Sequence, residues 1–375
     1  MNTTIDDRSA ARTRSGTLGE AASADDREAL RDSVADLLRR RGGMDSVRKA
    51  STLPGRTDEP LWSTLCTEIG VAALLIPERF DGAGASLAET AVVLEELGGS
   101  LSPVPAFSTA LATVALLLAR DDAVAAQILP GIASGGRTAT VCWAGAAGWN
   151  SPGVIAEGGL LSGTAHYVVD GESADLFVVL ADGPGHEPTL HVVAADADGV
   201  QVQALPTVDP TRPLATVSFS EAPAQGVASA ADLPSRLQAC AWALLACEQV
   251  GGAQAALDLS VEYAKVRKQF GRAIGSFQAL KHRMADMYVL VESARSVARA
   301  AIEALVDDAP DAETLAASAH VYCSEAFSSV TGDAIQIHGG IGITWEHDIH
   351  LYFKRAQGSS QLFGQPHEAL RRLLP

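Results

Sequence analysis

The run from Leu233 to Phe270, LPSRLQACAWALLACEQVGGAQAALDLSVEYAKVRKQF, most constrains the fold. It is Ala-rich and apolar on nearly all sides. A helix hydrophobic all round has to be enclosed by other helices, so this segment predicts the central rod of a bundle. Gly271 is expected to stop it. Two further helices are predicted to follow. FQALKHRMADMYVLVESARSVARAAIEALV is capped by Ser276 and ends before Asp307-Asp308; AETLAASAHVYCSEAFSSVTGDAIQIHGG ends at Gly339-Gly340.

Upstream the grammar differs. Between Thr138 and Ala228 the runs ATVCWAG, LLSGTAHYVV, DLFVVLA, TLHVVAA and LATVSFS are short, β-rich and punctuated by Gly, Pro, Asp and Glu. No helix-length pattern separates them, so antiparallel pairing in a small barrel or sandwich is predicted. From Asp25 to Ala133 the pattern is helical: Leu30, Val34, Leu37 and Leu38 form one stripe. Ser86, with Glu89 three residues on, signals a capped helix running to Gly98-Gly99. The expected organisation is a disordered tail (1–26), an N-terminal helical domain (27–137), a middle β domain (138–228) and a C-terminal helical bundle (229–375).

At 375 residues and net charge −17, the chain can bury a sizeable core and is a poor partner for nucleic acid. Cys66, Cys142, Cys240, Cys247 and Cys323 form no CxxC, which argues for buried thiols in a reducing compartment rather than a zinc site. The first residues lack an apolar leader core, and Ala110–Leu118 is too short to span a bilayer. A cytoplasmic protein without a membrane segment is expected. His347, Asp348 and His350 have ligand-like types but no fourth partner in sequence, so no metal is assigned.

No GxGxxG or GxxxxGK[ST] occurs, so any dinucleotide must be held differently. Arg267 offers a planar fork suited to pyrophosphate, Gln269 an amide, and Phe270 a ring able to stack. Gln336 can hydrogen-bond an adenosine, and Gly339-Gly340 let backbone amides approach phosphate closely. Taken singly, such residues more often serve as a helix-dipole partner or a plain helix stop.

Taken together, YAKVRKQFGRAIGSFQ, IQIHGG and the upstream LLIPERFDGAGASLAETAVVLEELGG resemble the acyl-CoA dehydrogenases. The resemblance implies a helical domain, a β domain and a four-helix bundle, assembled as a tetramer. In that family RKQFG and QIHGG reach an FAD held mainly by a neighbouring subunit. The carry-over gives Arg267, Gln269, Phe270, Gln336, Gly339 and Gly340 as FAD contacts, with Gln278 as an addition. The implied reaction removes the α proton of an acyl-CoA with a carboxylate and the β hydride with the flavin, electrons passing to an electron-transfer flavoprotein or a similar acceptor.

Several positions depart from the family pattern. Phe363 stands where many members carry the catalytic glutamate. Ala241 stands at the alternative site for it on the long helix. Glu248, seven residues further, returns to nearly the same face about 10 Å along the axis. It is the remaining candidate base, and burial is expected to raise its pKa. In the β domain, VCWAGAAGWN replaces the family's Thr-Glu-Pro and Gly-Ser stretches, and Tyr167, Val168 and Val169 replace Trp-Ile-Thr. The flavin-ring and base positions are thus altered, while the positions that act across a subunit boundary are kept.

This asymmetry resembles most the non-catalytic subunit of actinobacterial-type heteromeric acyl-CoA dehydrogenases, completed by a related partner chain. The competing readings are a self-sufficient homotetramer using Glu248, a non-redox assembly subunit, and an oxidase on the same fold.

Overall fold

The computed structural model describes residues 18–373. The first part comprises α1 (Ala24–Arg41), α2 (Met44–Ala50), α3 (Glu59–Thr64), α4 (Leu87–Ser100), α5 (Ala106–Ala119) and α6 (Asp122–Ala133). Most of the expected tail lies outside the described residues. Its last part is structured: Leu18 is buried, its carbonyl accepts from Leu87 N–H at 3.0 Å, and α1 starts at Ala24 under a Ser23 cap. Ser86 and Glu89 form a reciprocal capping box on α4, satisfying the helix's first free N–H groups.

The middle part contains β1 (Ala139–Cys142), β2 (Ala144–Gly145), β3 (Gly148–Pro152), β4 (Val154–Glu157), β5 (Leu160–Val169), β6 (Leu176–Asp182), β7 (Pro188–Ala194), β8 (Val200–Leu205), β9 (Leu214–Pro223) and β10 (Gln225–Val227). Strand order is β10-β7-β6-β4-β5-β2-β3, with β1 also on β6 and β9 joining β5 to β8. Most pairs are antiparallel, as expected. The exceptions are β1–β6, parallel over four residue pairs, and β4–β6, parallel at Ile155–Asp182. The excursion through β2–β5 supplies the long crossover that a parallel pair needs. Strand β6 is buried on both faces: Phe177, Val179 and Ala181 fill the core of the β domain, while Leu176, Val178 and Leu180 join the helices' core. That period-2 split cements sheet to helices.

The last part is α7 (Leu233–Val266), a hairpin of β11 (Lys268–Gln269) and β12 (Arg272–Ala273), α8 (Gln278–Val306), α9 (Ala312–His338), α10 (Ile349–Ser359) and α11 (Pro366–Leu373). Helix α7 is the enclosed rod: every residue from Leu237 to Ala253 is buried, against α4, α5, α8, α9 and α10. It stops at Val266, not at Gly271, because Arg267 turns to extended backbone and starts the hairpin. Ser276 does not cap α8; its hydroxyl donates to the Ala273 carbonyl, and Phe277 stands at the cap position.

Gly98 and Gly99 do not stop α4 either, since the helix runs through them to Ser100. They are there for packing. A methyl on Gly98 would overlap the Glu248 carbonyl, and one on Gly251 would overlap that of Glu95, so α4 and α7 cross backbone to backbone. Gly251→Ala is therefore expected to lower stability by about 3 kcal/mol or more in chemical denaturation. Gly332→Ala, in a helical site with open space around it, should be neutral or stabilising by up to about 1 kcal/mol.

Candidate functional site

Helices α7, α8 and α9 run up, down and up, so the C-terminal ends of α7 and α9 meet at one end of the bundle. The contact is a ring stack: Tyr263 lies on His338 with centroids 4.5 Å apart and planes 27° apart. One turn past Tyr263, Arg267 N–H caps the helix on the Tyr263 carbonyl at 2.9 Å. The β11–β12 hairpin follows, with Phe270 and Gly271 as its two-residue loop at φ +52° and +77°. Two consecutive positive φ values define a type I′ turn, a conformation unfavourable for Phe. The turn presents the Phe270 ring to solvent at 92% exposure, edge-on to Phe277 with centroids 6.1 Å apart.

Opposite this hairpin, α9 ends in Gln336, exposed, and in Gly339 (φ +64°) and Gly340, around whose missing Cβ atoms nothing lies within 4 Å. Among the described residues, nothing engages the side chains of Arg267 or Gln336 by hydrogen bond or ion pair. Gln269 rests on the Lys268 carbonyl, and Gln278, the first residue of α8, bonds to His282. The seven residues predicted to hold FAD thus stand together on one exposed end. The guanidinium, the amides and the open glycine pair there fit an anionic dinucleotide tail.

The surroundings of Phe363 are the opposite: closed. Phe363 is 3% exposed, at φ +60°. Its carbonyl accepts from Gln238 Nε2 and Trp242 Nε1, each at 3.0 Å, and the Gly364 carbonyl accepts from His320 Nε2 at 2.8 Å. Its ring lies 4.7 Å from Trp149, 5.7 Å from Phe107 and 6.2 Å from Trp143 by centroid. Tyr167 extends the cluster, 6.4 Å from Trp149, from a register break between Ala165 and Val168. A β-bulge of this kind re-aims one side chain. Trp143 and Trp149 come from VCWAGAAGWN and Tyr167 from the Trp-Ile-Thr position. The segments that depart from the family pattern thus bring indole and phenyl rings around Phe363.

Glu248 does not act as a raised-pKa carboxylate. It bonds to Arg212 and, at 2.9 Å, to Arg355 Nη1; Arg355 also binds Asp209 at 2.6 Å and the Thr211 carbonyl at 2.9 Å. Burial pushes Glu248 up, but the two guanidiniums outweigh it and hold the carboxyl below its ordinary value. The Arg212 guanidinium lies over the Phe107 ring at 5.4 Å, so arginine and ring stand between Glu248 and the Phe363 cluster. Ala241 is buried and offers no proton acceptor. Sequence reasoning missed this ion cluster because Asp209, Arg212 and Arg355 lie far from Glu248 in the chain. TVDPTRP carries two charges in an otherwise apolar context, and that was the available signal.

Comparison with known proteins bears on this geometry. Residues 24–136 match the family described as acyl-CoA dehydrogenase, N-terminal domain, and residues 242–373 match acyl-CoA dehydrogenase, C-terminal domain. Acyl-CoA dehydrogenase IpdE2 of Mycolicibacterium smegmatis is 44% identical over 353 residues, 93% of this chain and 98% of that one. The chain belongs to the acyl-CoA dehydrogenase family. IpdE2 of Mycobacterium tuberculosis is 42% identical, covering 93% and 96%.

Among solved structures, a variant of the steroid ACAD Tcur3481–Tcur3483 superposes with TM-score 0.87 at 30% identity, covering 93% and 96%. The ChsE4–ChsE5 complex of Mycobacterium tuberculosis gives 0.86 at 28%, covering 94% and 97%. Acyl-CoA dehydrogenases are FAD-dependent oxidoreductases, and this chain is such an enzyme or a subunit of one. Among the described residues, no helix is long and apolar enough to cross a membrane, and no cluster of three metal-ligating side chains occurs.

Two outcomes follow for this acyl-CoA dehydrogenase chain. Arg355→Ala leaves buried Asp209 without its ion partner and Glu248 with Arg212 alone, and should cost about 3–5 kcal/mol in denaturant titration. His320, stacked on Trp242, is pulled down to about 4 by burial, against the opposing hydrogen bond to Gly364. Unfolding frees it to protonate near its ordinary value of about 6.5, so stability should fall as pH drops below that value and level off below about 4. The loss at this site is on the order of 3 kcal/mol, and His320→Gln should flatten that limb of a pH–stability curve.

Proposed function

We propose that this chain is the non-catalytic subunit of a hetero-oligomeric acyl-CoA dehydrogenase. It closes over the nucleotide end of an FAD whose reactive ring, with the catalytic carboxylate, belongs to a related partner chain. The observation that carries this reading is Phe363, packed among Trp143, Trp149 and Phe107 where the family places its base. The two-chain naming of the structural neighbours Tcur3481–Tcur3483 and ChsE4–ChsE5 supports it, as does the open bundle end.

In this assembly Arg267 pairs with the pyrophosphate and Phe270 packs against the dinucleotide. Gln269, Gln278 and Gln336 hydrogen-bond to it, and the Gly339 and Gly340 amides approach phosphate oxygens without a side chain in the way. Bound FAD supplies a two-electron acceptor for the β hydride of an acyl thioester. The contribution of this chain is affinity and orientation rather than proton transfer. The substrate class is an acyl-CoA in the partner's cavity, and the steroid ACAD neighbour favours a bulky acyl group. An electron-transfer flavoprotein or a similar acceptor takes the electrons, the assembly is a tetramer, and the compartment is the cytoplasm.

Purified alone, the chain should carry no flavin and oxidise no acyl-CoA in a dye-coupled assay. Co-expressed with a related chain that keeps the glutamate, it should yield a yellow, active complex. Phe363→Glu alone should leave the lone chain inactive, because the other rings still occupy the cavity. Stoichiometric flavin and turnover in the lone wild-type chain would overturn the proposal.

A further inference from the structure

The two cradle motifs meet at one ring stack, and that stack has a second layer. The loop after Gly339 folds back so that His347 packs against His338, with centroids 4.3 Å apart and planes tilted by 57°, while its ring stands edge-on to Tyr263 at 6.1 Å. Tyr263 Oη also reaches the His338 carbonyl at 3.5 Å, the atom that leads into the glycine pair. Three rings from α7, α9 and the loop before α10 thus close the base of the segment carrying Gly339 and Gly340. They also tie that segment to the turn of α7 that presents Arg267.

His347 is held neutral by an accepted hydrogen bond, and His338 by its burial. His338 Nδ1 donates to the Ala334 carbonyl at 2.7 Å, and the residue is only 4% exposed. His347 Nδ1 accepts from Ile349 N–H at 3.1 Å, satisfying the first N–H of α10. A proton on that nitrogen removes the acceptor and frees the helix end. A proton on His338 puts a charge against the neighbouring imidazole in a buried site. Burial lowers the His338 pKa, helped by His347 and opposed by its hydrogen bonds to the Ala334 and Leu259 carbonyls; burial also lowers that of His347, opposed by Asp348 and helped by Arg48.

The charged and titratable groups around the stack are Asp348, His350 and Lys354 on the loop and α10, Arg48 on α2, and Arg283 and Asp333 on α8 and α9. Asp348 is paired with Arg48 at 2.7 Å and Asp333 with Arg283 at 3.6 Å. Burial, Arg48 and the neighbouring His338 ring oppose a proton on His347, while Asp348 still favours one.

We infer that Tyr263, His338 and His347 are the positioning residues of the flavin-tail cradle, and that protonating the histidines opens it. This rests on the subunit reading above. The sign follows from linkage: the opened loop exposes imidazoles that protonate near their ordinary value of about 6.5, so the closed, binding-competent form is depleted as pH falls below it.

The test is FAD affinity of the reconstituted complex across about pH 5.5 to 7.5, with the thermal midpoint recorded alongside. Wild type should weaken by about tenfold on acidification. His338→Ala should lose about tenfold at neutral pH, the size of one such ring contact. His338→Phe, which keeps a ring but removes one titrating group, should hold wild-type affinity at neutral pH and show roughly half the acid loss on a logarithmic scale.

Wild-type FAD affinity in His338→Ala, or an unchanged acid limb in His338→Phe, overturns the inference. Arg267→Ala separates the two levels. If it weakens FAD while the stack variants do not, only the positioning role falls. If it has no effect, the subunit reading falls and takes the inference with it.

Discussion

The interaction on which the rest of the molecule depends is the buried contact of Arg355 with Glu248 and Asp209. Arg355 comes from α10, Glu248 from the rod α7, and Asp209 and Arg212 from the loop leading into β9. Asp170, at the end of β5, sits in the same field and accepts from Ser108 of α5 at 2.6 Å. Helical domain, β domain and bundle are thus joined through one ionic knot. Removing such charges from water costs several kcal/mol per ion, recovered only when every partner is in place. The knot therefore contributes less to net stability than to a single relative placement of the three parts. That placement brings Trp143, Trp149 and Phe107 around Phe363.

Consequences differ at the two ends of the rod. At its middle, small residues and glycines let α4 approach backbone to backbone, and the side chains of α7 go to packing, to the knot, or to the Phe363 carbonyl. At its C-terminal end, α7 gives way to a strained two-residue hairpin, and the partner motif on α9 ends in a bare glycine pair. One region is closed by rings and ion pairs. The other presents an exposed guanidinium, amides and a ring that, among the described residues, make few contacts. That contrast between an exposed bundle end and a ring-packed interior is what the proposed subunit role rests on.

Much of this was legible in the sequence. The rod announced itself by being apolar on every face, the capping box by Ser86 and Glu89, and the β domain by its short punctuated runs. The residues assigned to the cradle lie in two compact motifs, and the structure places both motifs at one end of the bundle. Punctuation misled where glycine served packing: Gly98 and Gly99 are interior to α4 because the neighbouring backbone leaves no room for a side chain. The rod's end was misplaced because Arg267 and Gln269 enter a hairpin whose pairing is not a periodic signal.

Glu248 was misread for a related reason. Burial alone argues for a raised carboxyl, and the two arginines that reverse the direction come from distant segments. The ring cluster was half visible: Phe363 and Tyr167 stood out as departures, but their meeting with Trp143 and Trp149 is a property of the fold.

The most direct measurement is an experimental structure of the assembled complex with FAD bound. The account predicts Arg267 and Gln336 of this chain on the dinucleotide tail, the isoalloxazine against the partner's β domain, and the Phe363 ring still packed on Trp149. An isoalloxazine seated between Trp149 and Tyr167 of this chain, or Arg267 and Gln336 remote from every nucleotide, would contradict it.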